Sequence, residues 1–220
     1  NLLNAKVYFK LENLQWTGSF KFRGASNKIA KLNFDKKQKG IVAYSSGNHA
    51  QAVAYASKNK GINSKIIMPD NAPRIKIQNT IKYGAEVILY NSLKDNREEI
   101  GNRIAKDEKR TLIKPYDDLD IIAGQGTSGK EIAEELKKLN ILPDIYLCCC
   151  GGGGLIAGTS TYLKYSFPKI KCYSVEPENF DDTKKSLEYN SIKSISNKSV
   201  SICDALLAKQ PGDITFSINK

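Results

Sequence analysis

Apolar and polar positions along this chain switch repeatedly between a strand-like and a helix-like period. Short β-branched and aromatic runs predict strands at residues 7–11, 40–44, 64–68, 86–89, 111–113, 145–149 and 171–175, the run at 111–113 being weak. Between them, apolar residues recurring every three to four positions predict helices at about 20–32, 50–59, 74–83, 95–108, 121–139 and 155–165. Gly61, Pro69 and Pro115 punctuate the handovers. Strand and helix in alternation predict an α/β protein, with mainly parallel sheets flanked by helices. The last forty residues are rich in Ser, Asn and Lys and only weakly patterned, and no internal repeat stands out.

Composition narrows the function. The chain is 40% hydrophobic and 26% charged, as in ordinary globular proteins. No apolar run approaches the roughly 18–20 residues of a membrane span, and no charged-then-apolar leader opens it, so no membrane association is expected. The 34 basic residues outnumber the 23 acidic ones, giving +11. Of the basic residues 29 are Lys, dispersed and often beside carboxylates, and only five are Arg. That is a solvated surface rather than a nucleic-acid reader, which relies on the planar fork of Arg. The cysteines are Cys148, Cys149, Cys150, Cys172 and Cys203. Consecutive strand residues face opposite ways, so the triplet cannot chelate one ion. An odd number without framework spacing predicts free thiols, small strand fillers in a reducing, cytoplasmic compartment. A single histidine, His49, excludes a His-rich metal site.

Three segments carry candidate chemistry. Gly151-Gly152-Gly153-Gly154 lies between a strand and a helix, where backbone N–H groups and the helix N-terminus can converge on an anion. Ser45-Ser46-Gly47-Asn48-His49 follows another strand, at the edge where open α/β sheets bind ligands, although a Ser or Asn there could simply cap a helix. Lys21 stands at a Gly/Ser-marked helix start between Phe20 and Phe22. Desolvation and the helix dipole would both lower its pKa, as an imine-forming lysine requires. An anion cradle, an activated amine and a polar crevice together match pyridoxal 5′-phosphate.

At this point the chain resembles the threonine dehydratase/serine racemase family of fold-type II pyridoxal-phosphate enzymes. The resemblance runs over nearly the whole chain. It rests on Glu12, on Thr17-Gly18-Ser19-Phe20-Lys21-Phe22-Arg23-Gly24-Ala25, and on Ser45-Ser46-Gly47-Asn48-His49-Ala50-Gln51. It continues through Met68-Pro69, Ala72-Pro73, Ile122-Ala123-Gly124-Gln125-Gly126-Thr127, the four glycines with Leu155-Ile156-Ala157-Gly158, and Glu176-Pro177.

The resemblance implies two domains, a small mobile one at 40–117 and a larger cofactor-binding one at 1–39 and 118–220. It implies that Lys21 holds the cofactor and later removes the substrate Cα proton. Gly151, Gly152, Gly153 and Gly154 would bind the phosphate, Phe20 would pack beside the pyridine ring, and Asn48 would bond the 3′ oxygen. Ser45, Ser46, Gly47, Asn48 and His49 would grip the substrate carboxylate. Ser46 matches the acid/base on the face opposite the lysine in members that racemise, and Arg97 an arginine at their substrate entrance. Glu176, the Phe180 carbonyl and Asp182 match a loop that binds Mg²⁺ or Ca²⁺. The implied reaction is dehydration of threonine or serine to a 2-oxo acid and ammonia. Serine racemisation, 3-hydroxyaspartate dehydration and a non-catalytic cofactor-binding role are the alternatives. The implied assembly is a dimer or tetramer. The sequence departs from the family at Asp204-Ala205, where many members have Asp-Gly. It also contains no Ser-Gly-Gly segment after Val175 to bond the pyridine nitrogen, which leads us to expect a fragment lacking its C-terminal part.

Overall fold

The computed structural model describes residues 4–195 and 201–220. Two parallel sheets organise the chain. The first contains β1 (Ile41–Tyr44), β2 (Ser64–Pro69), β3 (Glu86–Tyr90) and β4 (Thr111–Leu112) in the order β3-β2-β1-β4. The second pairs β5 (Ile145–Cys149) with β6 (Lys171–Val175) in register Ile145 to Lys171. The helices are α1 (Lys21–Ala30), α2 (Phe34–Lys39), α3 (Asn48–Lys58), α4 (Arg74–Lys82), α5 (Arg97–Asp107), α6 (Leu119–Lys138), α7 (Gly154–Ser166), α8 (Asp182–Glu188) and α9 (Asp213–Asn219). The α/β class and parallel sheets match the sequence reading.

Burial explains the pattern. All four residues of β1 are buried, so it reads as a continuous apolar run rather than an alternating one. In the same core cluster lie Ala50, Val53 and Ala54 of α3 and Ala25 and Ile29 of α1, the alanines letting the helices approach closely. A second cluster of Ala133, Leu136, Leu163, Phe167 and Ile170 joins α6 and α7 beneath β5 and β6. Among the described residues no helix is long and apolar enough to cross a membrane.

The expected strand at 7–11 is absent. Val7, Tyr8 and Phe9 are exposed, Phe9 by 81%, and no described strand pairs with them. A strand needs a ladder partner to satisfy its backbone, and alternation alone cannot supply one. In its place two short 3₁₀ turns, Glu12–Leu14 and Trp16–Gly18, lead into α1. The short polar helices α2, α8 and α9 carry too few apolar repeats to be legible. Helix α3, expected at 50–59, begins at Asn48, two residues earlier, so Asn48 and His49 form its first turn rather than a loop.

Candidate active site

The C-terminal edges of β1 and β5 open on one cavity of about 820 Å³. Phe20, Lys21, residues 45–49, Arg97 and residues 151–154 all line it. Segments far apart in sequence thus meet where ligands bind in open α/β sheets.

Lys21 is the first residue of α1, and the chain turns into that helix through Thr17, held at φ +62°. Its amine donates to the Pro115 carbonyl at 2.6 Å and lies 5.3 Å from the centre of the Phe20 ring. Burial brings its pKa down to about 8. His49 is buried, and its Nε2 lies 3.0 Å from the Ile113 carbonyl, which fixes that nitrogen as the donor. Burial and then the Lys21 charge push its pKa to about 3, so the ring is neutral. Its Nδ1 is a buried acceptor with no partner among the described residues.

Ser45 Oγ accepts the Gly47 N–H at 3.1 Å, shaping the turn that presents exposed Ser46 to the cavity. Neither Ser nor Asn caps α3: the cap position is Gly47, with no side-chain bond. The Lys76 side chain lies against Gly47 and pairs with Asp204, tying α4 to the segment after residue 200. Arg97 opens α5 and stacks 5.6 Å from the Tyr44 ring. Burial raises the pKa of Tyr44, to about 12, and that of Tyr90.

Two of the four glycines are required by what surrounds them. Gly153 sits at φ +87°, the left-handed region, as the cap of α7. A Cβ on Gly152 would lie 2.5 Å from the Tyr116 ring. Among the described residues, the N–H groups of Gly151, Gly152 and Gly153 donate to no protein acceptor, while the Gly152 and Gly153 carbonyls are bonded from behind. Unsatisfied donors beside a helix N-terminus suit a phosphate.

Sequence reasoning missed the segment 115–118. Pro115 receives the lysine, Tyr116 packs on the glycine turn, Asp117 accepts the Ile214 N–H at 2.8 Å, and Asp118 caps α6. Only the Asp118 cap had a local signal, an acidic residue just before a helical run.

The proposed metal residues do not line this cavity. Glu176 accepts the Thr183 and Lys184 N–H groups, each at 2.9 Å, and so holds the start of α8. Asp182 is fully buried, with no hydrogen-bond partner for either carboxylate oxygen among the described residues. Burial and then the Glu176 charge push its pKa up to about 7. The described residues contain no group of three His, Cys, Asp or Glu side chains placed to hold an ion. Of the cysteines, none is paired; Cys148 and Cys150 are buried fillers, whereas Cys149 and Cys203 are exposed, because Cys149 lies on the open face of β5.

The site and the fold define a class. Residues 1–220 match the family described as "Pyridoxal-phosphate dependent enzyme", and the chain belongs to that family. Within it, the chain falls among the fold-type II threonine dehydratases and serine racemases. It is 43% identical to L-threo-3-hydroxyaspartate ammonia-lyase of Saccharomyces cerevisiae over 98% of this chain and 65% of that protein. It is 41% identical to L-threonine ammonia-lyase of Thermotoga maritima, over 98% of this chain and 52% of that one. The solved structure of maize serine racemase superposes with a TM-score of 0.90 at 36% identity, covering 97% of this chain and 63% of that one. The chain therefore spans between half and two thirds of the length of these relatives.

The residues present fit the cofactor. A desolvated amine and a turn of unsatisfied N–H groups border one cavity, as an aldehyde and a phosphate on one molecule require.

Proposed function

We propose that this protein is an ammonia-lyase that converts L-threonine or L-serine to a 2-oxo acid and ammonia. The reading is carried by one observation: the Lys21 amine, with its pKa near 8, shares a cavity with the open N–H groups of the tetraglycine turn. Pyridoxal 5′-phosphate, when bound, supplies an aldehyde for the substrate amine and a conjugated ring that takes up the electrons left at Cα.

In this reading the N–H groups of residues 151–154 hold the phosphate and Phe20 packs beside the ring. Asn48 bonds the ring oxygen, and residues 45–49 orient the substrate carboxylate. Lys21 takes the Cα proton as general base. The β-hydroxyl leaves with a proton as water; one water is then consumed in hydrolysis, so each amino acid yields one 2-oxo acid and one ammonia. We further propose that residues 40–117 close over the substrate as one mobile unit, carrying Ser46 and Arg97 and excluding water.

A second reading has a specific observation behind it. Ser46 is exposed to the cavity that Lys21 lines, so it is a candidate second acid/base for racemisation. Chiral analysis of serine after incubation separates the two: Ser46→Ala should lose racemisation before elimination.

Glu176, the Phe180 carbonyl and Asp182 are candidate ligands for Mg²⁺ or Ca²⁺, ions that favour hard oxygen donors. The buried, unpartnered Asp182 carboxylate beside Glu176 fits a cation. Either ion should raise the melting temperature, and Asp182→Asn should abolish that rise.

The direct test of the main reading is Lys21→Ala. It should lose both 2-oxo acid production from threonine and serine and the visible absorbance of lysine-bound cofactor. Turnover retained without Lys21 would falsify the assignment.

A further inference from the structure

We infer that Thr215, on α9, is a positioning residue that aims the tetraglycine turn at the phosphate, with Asn219 in support. The inference rests on the reading of that turn as the phosphate site. Thr215 is fully buried. Its Oγ1 donates to the Gly152 carbonyl at 2.7 Å and accepts the Gly212 N–H at 3.0 Å. Asn219 Nδ2 donates to the Gly153 carbonyl at 3.2 Å, a carbonyl that also receives the Ala157 N–H at 3.0 Å from α7.

A trans peptide is planar, and its C=O and N–H point in opposite directions. Drawing the Gly152 carbonyl back toward Thr215 therefore turns the Gly153 N–H the other way, toward the cavity. Glycine has no side chain to hold these planes, and its backbone is the most permissive of all residues. The orientation must come from outside the turn. The first turn of α7 already fixes the next carbonyl, so Asn219 adds to an existing restraint, whereas among the described residues Thr215 is the donor that fixes the Gly152 carbonyl.

The clamp is itself anchored at the site. Asp117 Oδ1 accepts the Ile214 N–H at 2.8 Å, fixing the start of α9. Its neighbours Tyr116 and Pro115 touch Gly152 and the Lys21 amine. One short segment thus sets both the lysine and the back of the phosphate turn.

The test compares binding of pyridoxal 5′-phosphate with binding of pyridoxal, which lacks the phosphate, followed by absorbance in the purified protein. The unsubstituted protein should prefer the phosphate ester strongly. Thr215→Val, close in shape but without the hydroxyl, should cut that preference about tenfold, the worth of roughly one hydrogen bond. Its pyridoxal affinity should stay unchanged, and Thr215→Ser should restore the preference. An unaltered preference in Thr215→Val, including equal loss of both ligands, overturns the inference and assigns Thr215 to the fold alone. No preference in the unsubstituted protein instead overturns the reading of the turn beneath it.

Discussion

A lysine amine of ordinary pKa is neutral in only about one molecule in 2,500 at pH 7, and only the neutral amine attacks an aldehyde. With burial bringing Lys21 down to about 8, roughly one in ten is neutral. Desolvation thus sets Lys21 apart among 29 lysines, as its proposed role requires. The sign carries over to stability. The folded state disfavours the charged amine, so its destabilising effect is complete below pH 8 and fades as the pH rises from 8 to 10.5. Cofactor attachment should accelerate with pH around a midpoint near 8, as followed by growth of the visible band. The glycines give a second outcome at this scale. Gly152→Ala must displace the Tyr116 ring and should abolish cofactor binding. Gly151→Ala, whose nearest contact would be an ordinary 3.5 Å, should keep it.

Between elements, one polar tie centres on Arg23 of α1. Its guanidinium forks to Glu12 at 2.8 Å and to Glu131 on α6 at 2.7 Å, joining the N-terminal turn, α1 and α6 behind the lysine. The Arg23 side chain is only 8% exposed, so Arg23→Ala leaves Glu12 without that partner, whereas Glu131 is 42% exposed and keeps Lys10 at 3.0 Å; the variant should lose about 2 kcal/mol in denaturant unfolding. Hydrogen bonding to Arg23 holds Glu131 down to about 2. Its stabilising contribution is therefore full above about 4.5 and is lost as the pH falls toward 2. Long periodic elements such as α1, α3 and α6, and the strands β1 and β2, were legible in the sequence because each buries an apolar face; β5 was legible from its apolar run, although Ile145 and Leu147 are exposed. The polar helices α2, α8 and α9 were not legible, and the alternation at 7–11 misled because no described strand pairs with it. The site divides the same way. Lys21 and the four glycines carry local signals, whereas Tyr116, Asp117 and Thr215 act across long sequence separations that no local pattern encodes.

For the molecule as a whole, two parallel sheets turn their C-terminal edges toward one cavity, and the proposed chemistry depends on that shared opening. The four-stranded unit brings Ser46 and Arg97; the remainder brings Lys21 and the glycine turn. The lyase and racemase readings proposed above share one step, removal of the Cα proton. That common step requires a lysine bonded to the cofactor. The most direct measurement is borohydride reduction of the protein loaded with pyridoxal 5′-phosphate, followed by peptide mapping by mass spectrometry. The expected result is a single phosphopyridoxyl group on Lys21; a label on another lysine, or no label at all, would contradict the account.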